Sequence, residues 1–185
     1  FVVYPIPNID ISATELICSN IPTFFVTLNP GFIDNSLTTN FNYNWKKDGG
    51  NSIASSSTIG VNSEGSYTVD VTNSSGCSRT RTIQVTASNQ ATITSIDIID
   101  LVDFNTVTIN TTGTGDYEYS MDYLNGIWQD SNLFTNVPGG IHQVLINDKN
   151  GCGLVSKEIT VLSIPKFFTP NNDGYNDYWT VKGMI

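Results

Sequence analysis

Between residues 66 and 72 apolar and polar side chains alternate without a break. Tyr67, Val69 and Val71 fall on one side, with Ser66, Thr68, Asp70 and Thr72 on the other. A period of two is the pattern of a β-strand with one buried face. The same alternation runs through Phe41, Tyr43 and Trp45, through Tyr117, Tyr119 and Met121, and through His142, Val144 and Ile146. Strands are predicted at 9–12, 24–28, 41–46, 58–61, 66–72 and 79–86, and again at 92–98, 107–111, 117–121, 133–135, 143–147 and 156–162. Turn chemistry separates them, as in Asn29-Pro30-Gly31, Asp48-Gly49-Gly50 and Glu64-Gly65.

The strands are organised by an internal repeat. Residues 65–77 align without gaps on residues 140–152, each copy reading as a strand, a polar turn, a Gly and a Cys. Ile83 and Val85 correspond in the same way to Ile159 and Val161, the final strand of each unit. The period of about 75 residues suits a seven-stranded antiparallel domain. Tyr67 sits where such sandwiches place a tyrosine corner, a structural hydrogen bond back to the main chain. The expected fold is therefore all-β: two tandem immunoglobulin-like antiparallel β-sandwiches, residues 1–88 and 89–164, followed by the start of a third β domain at 165–185.

Composition agrees, since Asn, Ser, Thr, Val, Ile and Tyr are abundant while Lys, Arg, Glu and Ala are scarce. Eight basic against seventeen acidic residues give a formal charge of −9. A phosphate backbone or an anionic membrane would be repelled, so nucleic acid is excluded as an expected partner. No stretch approaches the length of a membrane span, and no basic-then-apolar signal opens the chain. Both ends fall within strand-like sequence, so the chain is expected to be a piece of a longer protein.

Three cysteines are present. Cys18 precedes a strand and Cys77 sits at the last hairpin of the same unit, so a Cys18–Cys77 disulfide is expected, with Cys152 left as a thiol. Such a bond implies an exported, oxidising setting.

Catalytic candidates are few. His142, the single histidine, occupies the place of Tyr67 on the buried face and reads as core; no Gly-x-Ser-x-Gly elbow accompanies it. Asp97, Asp100 and Asp103 recur every third residue and read as solvated loop and edge charges. Trp45 and Trp128 are candidate stacking platforms for a surface polysaccharide, but Trp45 is in phase with a buried face and Trp128, in a Gly-containing turn region, also reads as core before platform. Asn171, Asp173 and Asp177 are spaced like part of a calcium loop with Gly174 at the turn, yet no Glu closes it. A hydrogen-bonded Asx turn is favoured over calcium, and no other cofactor is expected.

The run Phe167, Phe168, Thr169, Pro170, Asn171, Asn172, Asp173, Gly174, Tyr175, Asn176, Asp177, Tyr178, Trp179 resembles the opening of the type B C-terminal sorting domain of Bacteroidota type IX secretion substrates, the gliding-motility-associated C-terminal family. The residues that carry the resemblance are Phe168, Thr169, Pro170, Asn171, Asp173, Gly174, Asn176, Asp177 and Trp179. The two sandwiches ahead of it resemble the Ig-like repeats of large surface adhesins of these bacteria. The resemblance implies export through the type IX translocon, an outer-membrane accessory protein of the PorP/SprF type as partner, and a cell-surface or extracellular location. The function expected on this basis is a non-enzymatic stalk and export segment. A spacer or carbohydrate-binding part of a secreted hydrolase is the alternative.

Overall fold

The computed structural model describes residues 5–33, 38–123, 125–167, 169–173, 177–178 and 180–183. Its chain forms two compact units, Phe1–Ser88 and Asn89–Ile185.

In the first unit, strands β1 (Ser12–Cys18), β2 (Val26–Leu28), β3 (Phe41–Lys47), β4 (Ser52–Ala54), β5 (Ile59–Val61), β6 (Gly65–Asn73) and β7 (Ser78–Ser88) form two sheets. One has the order β1-β7-β6-β3-β4 and the other is the pair β2-β5. A 3-10 turn, Thr38–Asn40, leads into β3. The uninterrupted alternation noted in the sequence becomes the spine of the core. Tyr67, Val69 and Val71 of β6 are buried together with Tyr43 and Trp45 of β3 and Ile83 and Val85 of β7. From the facing side Leu28 and Val61 close the layer, the two-sheet packing of an immunoglobulin-like sandwich. Trp45 is fully buried, and its indole N–H donates to the Ser56 carbonyl at 2.8 Å, so its one polar atom is satisfied.

The second unit contains β8 (Thr92–Ile99), β9 (Thr106–Thr112), β10 (Tyr117–Met121), β11 (Leu133–Thr135), β12 (Gly140–Asp148) and β13 (Leu154–Val161). They make two three-stranded sheets, β10-β12-β13 and β11-β9-β8. Val144 and Ile146 of β12 share one core with Ile159 and Val161 of β13, Tyr119 of β10 and, on the other sheet, Val107 and Ile109 of β9, and His142 of β12 is buried as well. No strand follows β13 among the described residues, although Ser163 and Lys182 form a single antiparallel bridge. No helix is long and apolar enough to cross a membrane, which says nothing about crossing by strands.

The pairing registers show how far the repeat extends. Tyr67 opposes Ile83, and Val69 opposes Arg81; His142 opposes Ile159, and Val144 opposes Lys157. The hairpin turns match as well. Asn73 Oδ1 accepts the N–H groups of Ser75 and Cys77 at 3.0 and 2.9 Å. Asp148 stands in its place, with Oδ1 accepting from Asn150 and Oδ2 from Cys152, both through main-chain N–H groups. Gly76 and Gly151 both adopt φ of +82°, a conformation that Cβ sterics disfavour in other residues.

Two strands differ from the sequence expectation. The segment predicted at 9–12 is a lone bridge between Ile9 and Phe32, and the strand itself begins at Ser12 and runs to Cys18. It lies parallel to β7, from Ser12 opposite Thr82 to Cys18 opposite Ser88. Its sequence lacks clean alternation because it is an edge strand burying only its last residues, Ile17 and Cys18. Strand β4 is three residues long, too short to leave a period.

On the solvent face of the first sheet, Asp70 accepts from Thr80 Oγ1 at 2.6 Å and from Lys46 Nζ at 3.1 Å. The Thr80 hydroxyl, aided by Lys46, holds its carboxyl below the usual carboxylate range despite partial desolvation. The lowered value favours the charged form in the folded state. The stabilisation is therefore present above the titration range of an unfolded Asp, about pH 3.9, and is lost as pH falls through the lower folded value. Asp70→Asn is expected to reduce stability at neutral pH and to flatten the acid limb of the stability profile, read by urea melts at pH 7 and pH 3. Trp45→Ala, which empties the largest buried side chain of the first core, is expected to cost about 3–5 kcal/mol in the same melts.

Candidate functional site

The segment from Pro165 onward carries the sequence motif, and its local geometry centres on Asp177. One carboxylate oxygen, Oδ1, accepts the main-chain N–H groups of Asn171 at 3.0 Å and of Asn172 at 2.6 Å. Asn171 returns two contacts to Asp173: its side-chain amide donates to Oδ2 at 2.8 Å, and its Oδ1 accepts the Asp173 N–H at 3.3 Å. Asn172 sits at φ of +60°, a left-handed conformation that Asn tolerates better than most residues. The motif thus folds its Asn and Asp side chains onto its own backbone as an Asx-type turn. Among the described residues, no group of three or more His, Cys, Asp or Glu is placed to hold a metal ion. Phe168, Gly174, Asn176 and Trp179 of the motif lie outside the described residues.

Beside this segment, a groove of about 600 Å³ runs along the second unit, lined by Leu101, Phe104, Val137, Pro138, Ile164 and Lys166 among others. Leu101, Val102 and Phe104 are exposed, and Leu101 adopts φ of +59°. The three acids read as solvated loop and edge charges each hold a contact of their own. Asp97 accepts from the Asn110 amide, Asp100 from the Leu162 N–H, and Asp103 pairs with Lys166 at 2.8 Å.

His142 is buried, as its phase on β12 implied. Nδ1 lies 2.7 Å from Asp122 Oδ2, and Nε2 lies 2.8 Å from the Pro138 carbonyl. Tyr67, its repeat equivalent, donates its hydroxyl to the Ser63 carbonyl at 2.9 Å. Both contacts reach four residues upstream, so the imidazole does in the second unit what the phenol does in the first. Asp122 was not legible as its partner in the sequence, because the contact crosses between β12 and the end of β10. Trp45 is buried and Trp128 half-buried.

The cysteines correct the expectation. Cys18 and Cys152 are disulfide-bonded, and Cys77 keeps its thiol. The reason lies in strand length. Cys18 opposes Ser88 at one end of β7, whereas Cys77 immediately precedes Ser78 at the other end. Ten residues of strand rise about 33 Å, while a disulfide needs Cα atoms within about 7 Å. Cys18–Cys77 pairing is excluded by that register.

A scan against protein-family models finds no match, and a search of curated proteins finds no relative. Among solved structures, the chain is similar to murine CEACAM1b at 12% identity and a TM-score of 0.47, covering 83% of this chain and 96% of that one. It is similar to the two immunoglobulin domains of DIP-gamma at 9% identity and a TM-score of 0.44, covering 81% and 92%. A structure of the N-terminal eight Ig domains of Down Syndrome Cell Adhesion Molecule matches 85% of this chain at 14% identity and a TM-score of 0.43, and the chain spans 24% of that structure.

Under non-reducing, denaturing conditions, peptide mapping is expected to show Cys77 alkylated without reductant and Cys18 and Cys152 alkylated only after reduction. Alkylation of Cys152 before reduction would contradict this assignment.

Proposed function

We propose that the chain is a non-enzymatic stalk and export segment of a large secreted, adhesin-like surface protein, in which residues from Pro165 onward carry the start of a type IX sorting signal. The observation that carries the reading is the run Phe-Thr-Pro-Asn-x-Asp-Gly-x-Asn-Asp at 168–177. The Asp177 and Asn171 contacts support it, because they give this segment a turn of its own, separate from the strands of the second sandwich. The partners proposed are the type IX translocon and an outer-membrane accessory protein of the PorP/SprF type. A disulfide fits passage through an oxidising compartment.

The mechanism is topological rather than chemical. Two sandwiches with continuous apolar cores set distance and resist local opening, while the Asn/Asp turn presents the address to the export machinery. Among the described residues of the run, Phe167 and Tyr178, which flank the motif positions, are exposed and available to be read by a partner.

In the protein that carries these residues, deletion from Pro165 onward is expected to leave a folded product trapped in the periplasm, whereas deletion of residues 1–88 leaves export intact. Cell fractionation with surface protease digestion measures both. Normal surface display of the tail-deleted protein would overturn the sorting assignment and reduce the motif to a structural turn.

A further inference from the structure

β13 ends at Val161, and main-chain contacts hold the residues that follow it. Leu162 donates its N–H to Asp100 Oδ2 at 3.0 Å and accepts the Leu101 N–H at 3.2 Å. Ser163 and Lys182 exchange two bonds, the Ser163 N–H donating to the Lys182 carbonyl at 3.2 Å and the Lys182 N–H to the Ser163 carbonyl at 2.8 Å. Such an exchange is the hydrogen-bonded pair of an antiparallel ladder. The chain thus leaves the second sandwich at Ser163 and returns to it at Lys182, so residues 164–181 form a loop closed at its neck.

Two glycines make room for that neck. Gly183 has φ of +88°, and a Cβ there would stand 2.5 Å from the Val161 carbonyl oxygen and 3.1 Å from Thr160 Cγ2. The nearest obstacle is the backbone of β13, which cannot give way as a side chain can, so the returning stem seats against β13 only as glycine. Gly139, just ahead of β12, lies against the departing stem. A Cβ there would overlap Ser163 Oγ and come within 3.0 Å of the Ser163 main-chain nitrogen.

The Asn/Asp turn inside the loop is held by its own contacts between Asp177, Asn171, Asn172 and Asp173. Those bonds fix its shape and leave its place on the sandwich undetermined. The Lys166–Asp103 pair also reaches from loop to sandwich, but its side chains are 70% and 68% exposed, where an ion pair contributes little. The neck is what fixes where the turn stands. A segment tethered at both ends loses less conformational freedom on binding than one tethered at a single end, so the same contacts bind a partner more tightly.

We propose that Gly139, Ser163, Lys182 and Gly183 are positioning residues: they hold 164–181 as a closed loop, and the partner that reads this segment requires it closed. The proposal rests on the export reading of the residues from Pro165 onward.

Amide hydrogen exchange on the chain of 185 residues reads the neck directly, and the Ser163 and Lys182 amides are expected to be protected. Gly183→Val sets a side chain against the Val161 carbonyl, and Lys182→Pro removes the donor of the 2.8 Å bond. Each is expected to lower Ser163 protection about ten-fold, the scale of a lost main-chain hydrogen bond, with β12 and β13 amides unchanged. In the protein that carries these residues, both variants are expected to lose surface display, measured by fractionation with surface protease digestion. Ser163→Cys combined with Lys182→Cys, a facing pair at a separation a disulfide spans, is expected to be displayed like the unaltered protein. The proposal is overturned if Ser163 and Lys182 exchange as fast as an unstructured peptide, or if protection survives both substitutions. It is also overturned if the opened variants are displayed normally, or if the crosslinked loop stays inside the cell. Deletion from Pro165 onward keeps the two readings apart. Normal display of that product defeats the export assignment, whereas its trapping alongside normal display of Gly183→Val and Lys182→Pro defeats the closed-loop proposal alone.

Discussion

Both units depend on one constraint, that a single strand buries every second side chain while its neighbours on both sides do the same. In the first unit Tyr67, Val69 and Val71 of β6 form the central row, flanked by Tyr43 and Trp45 on β3 and by Ile83 and Val85 on β7. In the second, His142, Val144 and Ile146 of β12 take that place between β10 and β13. A slip of one residue in either pairing would turn the whole row to solvent, so the apolar row itself sets the register. Every other feature is positioned by it, including the corner contacts of Tyr67 and His142, the capped hairpins and the two cations at Arg81 and Lys157.

The hairpin ends show how one geometry is reached with different chemistry. Asn73 is neutral and partly exposed, whereas Asp148 is almost fully buried. Burying a carboxylate is costly unless its lone pairs are filled. Asp148 meets that requirement with N–H donors from Asp116, Asn150 and Cys152. The contact with Asp116, just ahead of β10, ties the turn to the neighbouring strand, which Asn73 does not do in the described contacts. A carboxylate with more acceptor capacity than an amide is what the extra donor requires.

The corner residues follow a similar logic. Tyr67 reaches the Ser63 carbonyl with one hydroxyl and also lies within hydrogen-bonding distance of the Ser63 side chain, while the Lys47 ammonium stands over its ring at 5.6 Å. His142 reaches the Pro138 carbonyl with one ring nitrogen, which leaves the second to meet the Asp122 carboxylate. The imidazole is the shorter side chain with two polar atoms, so replacing the phenol brings a second partner into the core. The same substitution that removes a catalytic reading from the single histidine therefore adds a structural contact.

The amino-acid sequence by itself determined the all-β class, the repeat, the rows of buried side chains and the corner role of Tyr67, because each is written in periodicity or turn chemistry local to the chain. It also marked Asn171, Asp173 and Asp177 as a turn-forming set, since Asx side chains bond to main chain only a few residues away. Tertiary structure alone decided the parallel seat of β1 on β7, the short strand β4, the Asp122 partner of His142 and the state of the cysteines. Cys18 and Cys77 belong to one unit and could be paired on paper. The length of β7 separates them, and that distance exists only once residues far apart in sequence have been brought into register.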